Sequence, residues 1–477
     1  MKLRQWQDEC INLALAKYHN GNSHFLALAT PGAGKTIMAS ELADQLLKSN
    51  LVDLIVCFSP SAIVAKDFSE SLHLRTQERF DGLIGAKGRS LTYQSLQYLD
   101  SNFWQLFNTY NVFVIFDEIH HCAGSNIENA NSWGEQIILN IQDKAKFTLA
   151  LTGTPWRSDE APIVLSSYMH PSNKILCDYV YGISEAITDK VCRVPQIIAI
   201  DNNNISVTDD EETKTFSSFK CLLSQSVIPY QEVIVNEKVM EYVISSAHKK
   251  LTKIRTINSN AAGLIVASSV EHAKTLSFLM KCLFNEDAVV VTYQENDPTN
   301  IIQNFRYASS KWIISVGMIS EGTNIPRLQV CCHLTNIKTE MHFRQILGRI
   351  LRMTEAKNQE AVMYMPAEPK LLEYANRVKQ DVPFEADVVK FEKMKTDDLG
   401  DLKSNDKTVI SFDKRSGLAP TADFQLTDFE AKQSHYDFDE ISSPAEEHYL
   451  TISYDKVVNI FGRFKQESVA LGLSELR

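Results

Sequence analysis

Over roughly the first 175 residues, short apolar runs alternate with stretches of helical spacing. Phe25–Ala29, Leu54–Phe58, Val112–Phe116 and Thr148–Leu151 are apolar and bounded by turn residues, the pattern of strands buried on both faces. Between them the spacing is helical, as over Ile37–Leu47. Such alternation predicts a parallel sheet with helices on both sides. Residues 201–215 are polar and loop-like, and are read as an inter-domain connection or insertion. The α/β alternation then restarts, with strands expected at Gly263–Ser268, Val289–Thr292, Trp312–Val316, Val330–Leu334 and Ala361–Tyr364. Beyond residue 380 apolar residues thin out and acids dominate. In Tyr454–Leu473, Val457, Ile460, Phe461, Phe464, Val469 and Leu471 fit one amphipathic helix. The pattern predicts two similar α/β sheets followed by a tail.

Composition narrows the class. The 477 residues are 44% hydrophobic and 22% charged, which excludes wholesale disorder. No apolar run approaches the ~18 residues of a membrane span, and Met1–Cys10 lacks the apolar stretch of a signal peptide. A soluble, cytoplasmic protein with no membrane partner is expected. Nine cysteines without a C-x-x-C pair are read as buried free thiols, and His120-His121-Cys122 lacks the spaced partners a metal site needs. The net charge of −11 is unevenly placed: residues 381–450 hold 17 acidic and 8 basic side chains. The acidity therefore belongs mainly to the tail and does not exclude binding to a phosphate backbone.

Three clusters carry chemistry. Ala29-Thr30-Pro31-Gly32-Ala33-Gly34-Lys35-Thr36 follows an expected strand and opens an expected helix. Gly32 and Gly34 let the backbone curl so that several N–H groups face one anion, and the helix start adds its positive end. Lys35 would reach the outer phosphates of ATP, and Thr36 would ligate Mg²⁺. The strand Val112–Phe116 ends in Asp117-Glu118, placing two carboxylates where α/β sheets bind ligands. Asp117 would hold Mg²⁺ and Glu118 would orient and deprotonate the attacking water. Gln345, Arg349 and Arg352 share one helical face, so two guanidiniums could meet the charge that develops on a transferring phosphoryl group.

Taken in order, these segments resemble the superfamily-2 helicases and translocases of the DEAD/DEAH class over residues 3–353. Leu3–Gln7 is similar to the family's N-terminal glutamine motif, which implies that Gln7 reads adenine. Thr30–Thr36 and Asp117–His120 match the two ATP motifs, the second in its D-E-x-H form. Thr152–Pro155, followed by Trp156 and Arg157, resembles the coupling motif. Ser59-Pro60, Thr92-Tyr93-Gln94 and Ser268 fall where the family touches nucleic acid. Ser320–Pro326 matches motif V, with Gly322 and Asn324 beside the nucleotide, and Asn324 stands where relatives commonly carry aspartate. Gln345–Arg352 is the Q-x-x-G-R-x-x-R motif.

The resemblance implies an α/β protein with two tandem RecA-like domains, each a parallel sheet flanked by helices. Its parts would be residues 1–185, a linker or insertion over 186–235, residues 236–375, and an acidic, partly helical extension over 376–477. It further implies a helicase or translocase with ATP and Mg²⁺ as cofactors and nucleic acid as partner. The D-E-x-H box favours the branch with repair helicases and restriction motors, and hence DNA over RNA. Two other roles fit: a double-strand translocase serving a separate nuclease docked through the extension, or an ATP-gated nucleic-acid adaptor. His272 is read as a surface residue, and Trp104, Trp133 and Trp312 as core or interface.

Overall fold

The computed structural model describes residues 2–154, 161–170, 174–209, 212–225, 228–319, 323–380, 456–460 and 464–467. All five residues of Val112–Phe116 are fully buried, as an uninterrupted apolar run with helices on both faces requires. This strand is one of six in a wholly parallel sheet: β1 (His24–Ala29), β2 (Leu54–Ser59), β3 (Gly88–Thr92), β4 (Val112–Phe116), β5 (Phe147–Thr152) and, after the ribbon β6 (Ser167–Met169)–β7 (Lys174–Leu176), β8 (Tyr179–Tyr181). Their order is β3-β2-β4-β5-β1-β8, so β5 lies between β1 and β4. Because every strand runs the same way, the residues that leave β1, β4 and β5 gather at one edge.

The second sheet contains β9 (Pro195–Asn202), β12 (Ala262–Ala267), β13 (Val289–Val291), β14 (Trp312–Ser315), β15 (Leu328–Leu334) and β16 (Ala361–Pro366), parallel in the order β13-β14-β12-β15-β16-β9. The hairpin β10 (Ile205–Asp209)–β11 (Glu212–Phe216) lies between β9 and β12 in the chain. Trp312 and Trp133 are buried in the core, as expected, and Trp104 packs against Phe103 and Phe107.

Four expectations need correction. Residues 186–235 are more than a connection, because β9 is a full member of the second sheet, paired with β16 from Pro195 to Ile200. The polar stretch 201–215 includes the β10–β11 hairpin, whose Thr and Val positions pair well in a ribbon although they form no apolar run. The expected helix Tyr454–Leu473 is replaced, over its described residues, by β17 (Lys456–Ile460) and β18 (Phe464–Glu467). β17 pairs antiparallel with β10 and β18 with β9, closing edges whose backbone groups need partners. The acidic extension is thus not helical there. His272 is buried, with Nδ1 facing the backbone N–H and hydroxyl of Ser268 at 3.2 and 2.8 Å. It belongs to the first turn of helix Val270–Phe284, which faces the end of β12 rather than solvent.

Candidate nucleotide cleft

The segment after β1 turns through Gly32 and Gly34, both at positive φ (+84° and +98°), and Gly34 opens the helix Lys35–Lys48. An L-residue would be strained at either glycine, and this curl turns successive N–H groups inward. The Lys35 ammonium donates to Ala29 O at 3.2 Å and to Glu118 Oε1 at 2.9 Å. Glu118 Oε2 accepts from the Gly153 N–H at 3.1 Å, as the position of β5 between β1 and β4 allows. Glu118 itself has φ +52°, a conformation rare for a residue with a long side chain and common at functional sites. The neighbouring Asp117 carboxylate is nearly buried, and buried His120 meets the Thr152 hydroxyl at 3.0 Å.

The second sheet faces this edge with its own starting edge. Helix Glu340–Ile350 follows β15 and returns along the sheet, so Ile350 ends beside Leu328 at the start of β15. Arg349 donates to Thr323 O at 2.7 Å and Arg352 to the Asn324 side-chain oxygen. Arg352 also lies against the phosphate loop: a Cβ placed on Gly32 would sit 3.0 Å from its Cγ. Desolvation and the neighbouring guanidiniums of Arg349 and Arg306 pull the Arg352 pKa down, so this side of the cleft is rich in positive charge. Together the two sheets line a cleft of about 380 Å³ that includes Gly32, Lys35, Thr36, Asp117, Glu118, Asn324, Gln345, Arg349 and Arg352.

Comparison with known proteins agrees with this geometry. Residues 1–157 match the family described as "Type III restriction enzyme, res subunit", and residues 246–354 match "Helicase conserved C-terminal domain". An uncharacterized Mycobacterium tuberculosis protein, Rv2917, is 28% identical over 396 residues, covering 78% of this chain and 63% of its own length. The chain therefore spans less than two thirds of that relative. The DNA 3'-5' translocase XPB2 of Sulfurisphaera tokodaii is 24% identical, covering 76% of this chain and 81% of its own. Residues 1–157 and 246–354 thus match the two core regions of superfamily-2 helicases. Its fold is shared with a fragment of an HsdR subunit assigned to a type I restriction enzyme of Vibrio vulnificus (TM-score 0.54, 16% identity, 78% of this chain and 65% of that one).

Most of the residues expected at the nucleotide converge in this cleft, and several others do not. Gln7 is buried beside the loop rather than lining the cleft: its amide donates to Gly34 O at 3.0 Å and accepts from the Arg4 N–H at 2.9 Å. Arg4 lines the cleft in its place, bonded to Ala33 O. Of the residues expected to touch nucleic acid, Ser59, Pro60 and Tyr93 are buried, because the end of β2 and the turn after β3 are covered. Tyr93 donates to Asp117 O at 2.8 Å and lies inside the first sheet's core. Ser268 is half-buried and engaged by Gln231 and His272. Thr92 and Gln94 remain half-exposed. Thr30, Pro31 and Ala33 follow the loop, whereas Gly322, Pro155, Trp156 and Arg157 lie outside the described residues.

One position escaped sequence reasoning, and a second was named there only as part of a motif, without a role. Arg193 is 1% exposed, and its guanidinium ties Leu328 O (2.7 Å), Ile350 O (3.0 Å), Pro326 O (3.3 Å) and Gln359 Oε1 (3.0 Å) together directly behind Arg352. Nothing in its local pattern signals this, since each partner is more than 130 residues away in sequence. Gly348 is the second: a Cβ there would lie 2.9 Å from Pro31 Cβ across the cleft. Gly348→Ala favours the helix by up to about 1 kcal/mol yet pushes the two sheets apart. The expected outcome is an unchanged or raised Tm with kcat/KM for ATP lowered roughly tenfold, by misplacing the arginines. Wild-type kcat/KM in that variant would remove Gly348 from the closing contact.

Proposed function

We propose that this chain is an ATP-driven nucleic-acid motor with DNA as its track. The observation that carries the reading is the single cleft in which Lys35 and Glu118 from one sheet face Arg349 and Arg352 from the other. In this reading Lys35 neutralises the outer phosphates, Glu118 takes the proton of the attacking water, and the arginines stabilise the charge that builds during transfer. Thr36 and the Asp117 carboxylate offer the hard oxygen donors that Mg²⁺ prefers, alongside phosphate and water. Bound, the ion would neutralise phosphate charge. The triphosphate would bridge the two sheets, so binding draws them together and hydrolysis releases them. Nucleic-acid contacts divided between the sheets would then shift along the backbone. Such contacts are mainly to phosphates, so binding should weaken with salt and read sequence poorly.

A second reading, translocation on duplex DNA without strand separation in the service of a nuclease partner, is favoured by the match of residues 1–157 to a restriction-enzyme subunit family. Steady-state ATP hydrolysis with no polymer, single-stranded DNA, duplex DNA and single-stranded RNA tests the motor. Stimulation by DNA above RNA is expected. Absence of stimulation by every polymer, with ATP still bound, would sink the motor. A strand-displacement assay then separates the two readings: displaced strand supports unwinding, and duplex-stimulated hydrolysis without displacement supports translocation.

A further inference from the structure

Tyr93 stands between two parts of the molecule that the proposed function needs to communicate. It follows Thr92 at the end of β3 and precedes Gln94, and those two neighbours are half-exposed. Tyr93 itself is fully buried, its ring stacked with Trp133 (5.7 Å between centroids) and Phe58 (6.4 Å). Its hydroxyl donates to Asp117 O at 2.8 Å. That oxygen belongs to the peptide joining Asp117 to Glu118. The Asp117 N–H donates to Phe58 O at 2.9 Å, so Phe58 and Tyr93 hold the two ends of Asp117. Glu118 next adopts the left-handed conformation, which glutamate seldom enters unless its surroundings impose it. Its carboxylate is held separately, by Lys35 and by the Gly153 N–H.

We infer that Tyr93 is a positioning residue, a rigid peg that transmits the position of the Thr92–Gln94 turn to the Asp117–Glu118 peptide. The turn is tied to the residue that follows β2, since Gln94 Nε2 reaches Pro60 O at 3.5 Å, and is braced within itself, since Ser95 Oγ donates to Thr92 O at 2.6 Å. A phosphate backbone pressing on Thr92 or Gln94 moves the turn, and the packed ring has no free space in which to absorb that displacement. The hydroxyl then carries it to the peptide that orients Glu118. Nucleic acid thereby adjusts the hydrolytic carboxylate without touching it. The inference deepens the motor reading and rests on it.

The test is Tyr93→Phe, which keeps the ring and its stacking and removes the hydroxyl alone. Basal and DNA-stimulated kcat, KM for ATP, Kd for DNA and Tm are measured beside wild type. Stimulated kcat is expected to fall about tenfold, the loss of one well-placed hydrogen bond, and the stimulation ratio with it. KM, Kd and Tm should stay within twofold or a few degrees of wild type, a split that a general packing defect would not produce. Wild-type stimulation in the variant overturns the inference while leaving the motor standing. A wild-type protein that no polymer stimulates overturns the motor, and the inference falls with it.

Discussion

Glu118→Gln is expected to lower ATP turnover by about 10²–10⁴-fold while ATP binding holds or tightens. The first half follows from the loss of a general base, whose contribution is of that size. The second half comes from the geometry around Lys35. In the protein, Lys35 spends one of its donors on the Glu118 carboxylate at 2.9 Å, in a setting where the lysine side chain is only 10% exposed. An incoming phosphate must compete with that carboxylate for the ammonium and also meet its repulsion. The neutral amide keeps the shape and an acceptor for the Gly153 N–H but removes the charge that binds Lys35. Lys35 is then freer to turn to phosphate. Turnover and equilibrium binding of ATP, measured on the same preparation, decide the matter. A variant that hydrolyses ATP at the wild-type rate would show that Glu118 is not the base. Much weaker ATP binding would show that the Lys35–Glu118 pair is part of the binding site rather than a competitor.

The same sites show why one part of the molecule could be read from sequence and another could not. Val112–Phe116, Phe147–Thr152 and Ala262–Ala267 lie in sheet interiors, where burial on both faces demands an unbroken apolar run that is visible in any single chain. Gly88–Thr92 and Glu212–Phe216 are edge strands, free to carry polar residues, and no such run announces them. Lys456–Ile460 and Phe464–Glu467 show the ambiguity of short apolar spacings. Val457, Ile460 and Phe464 fit a helical face, but β-branched residues beside two open strand edges pair instead. The phosphate loop was legible because its glycines are local necessities: positive φ at Gly32 and Gly34 is a property of the turn alone. By contrast, the roles of Arg193, Tyr93 and Gln7 depend on carbonyls contributed from elsewhere in the fold. A buried hydrogen bond across 24 or 157 residues leaves no periodic trace.

Arg352→Ala should be the more damaging change, lowering stimulated hydrolysis by about 10³–10⁵-fold, the usual worth of an arginine aimed at a transferring phosphoryl group. Its surroundings suit a guanidinium that meets an anion. The Nε–H is buried without a hydrogen-bond partner among the described residues, a costly state for a donor that nothing completes. The guanidinium donates to the side-chain oxygen of Asn324, an uncharged amide. An aspartate there would neutralise the arginine, whereas the amide orients it and leaves its charge for phosphate. Arg193 secures the backbone behind it, so alanine at position 352 should disturb the fold little. Lysine should recover less than a tenth of the lost rate, because its donors all sit on one nitrogen and cannot reach Asn324 and phosphate at once as a planar guanidinium fork does. ATP affinity should fall only a few-fold, since the stabilisation is concentrated in the transition state. Single-turnover rates separate the alternatives. An Arg352→Ala variant with a normal chemical step would reduce Arg352 to a binding residue, and full recovery by lysine would reduce its contribution to charge alone.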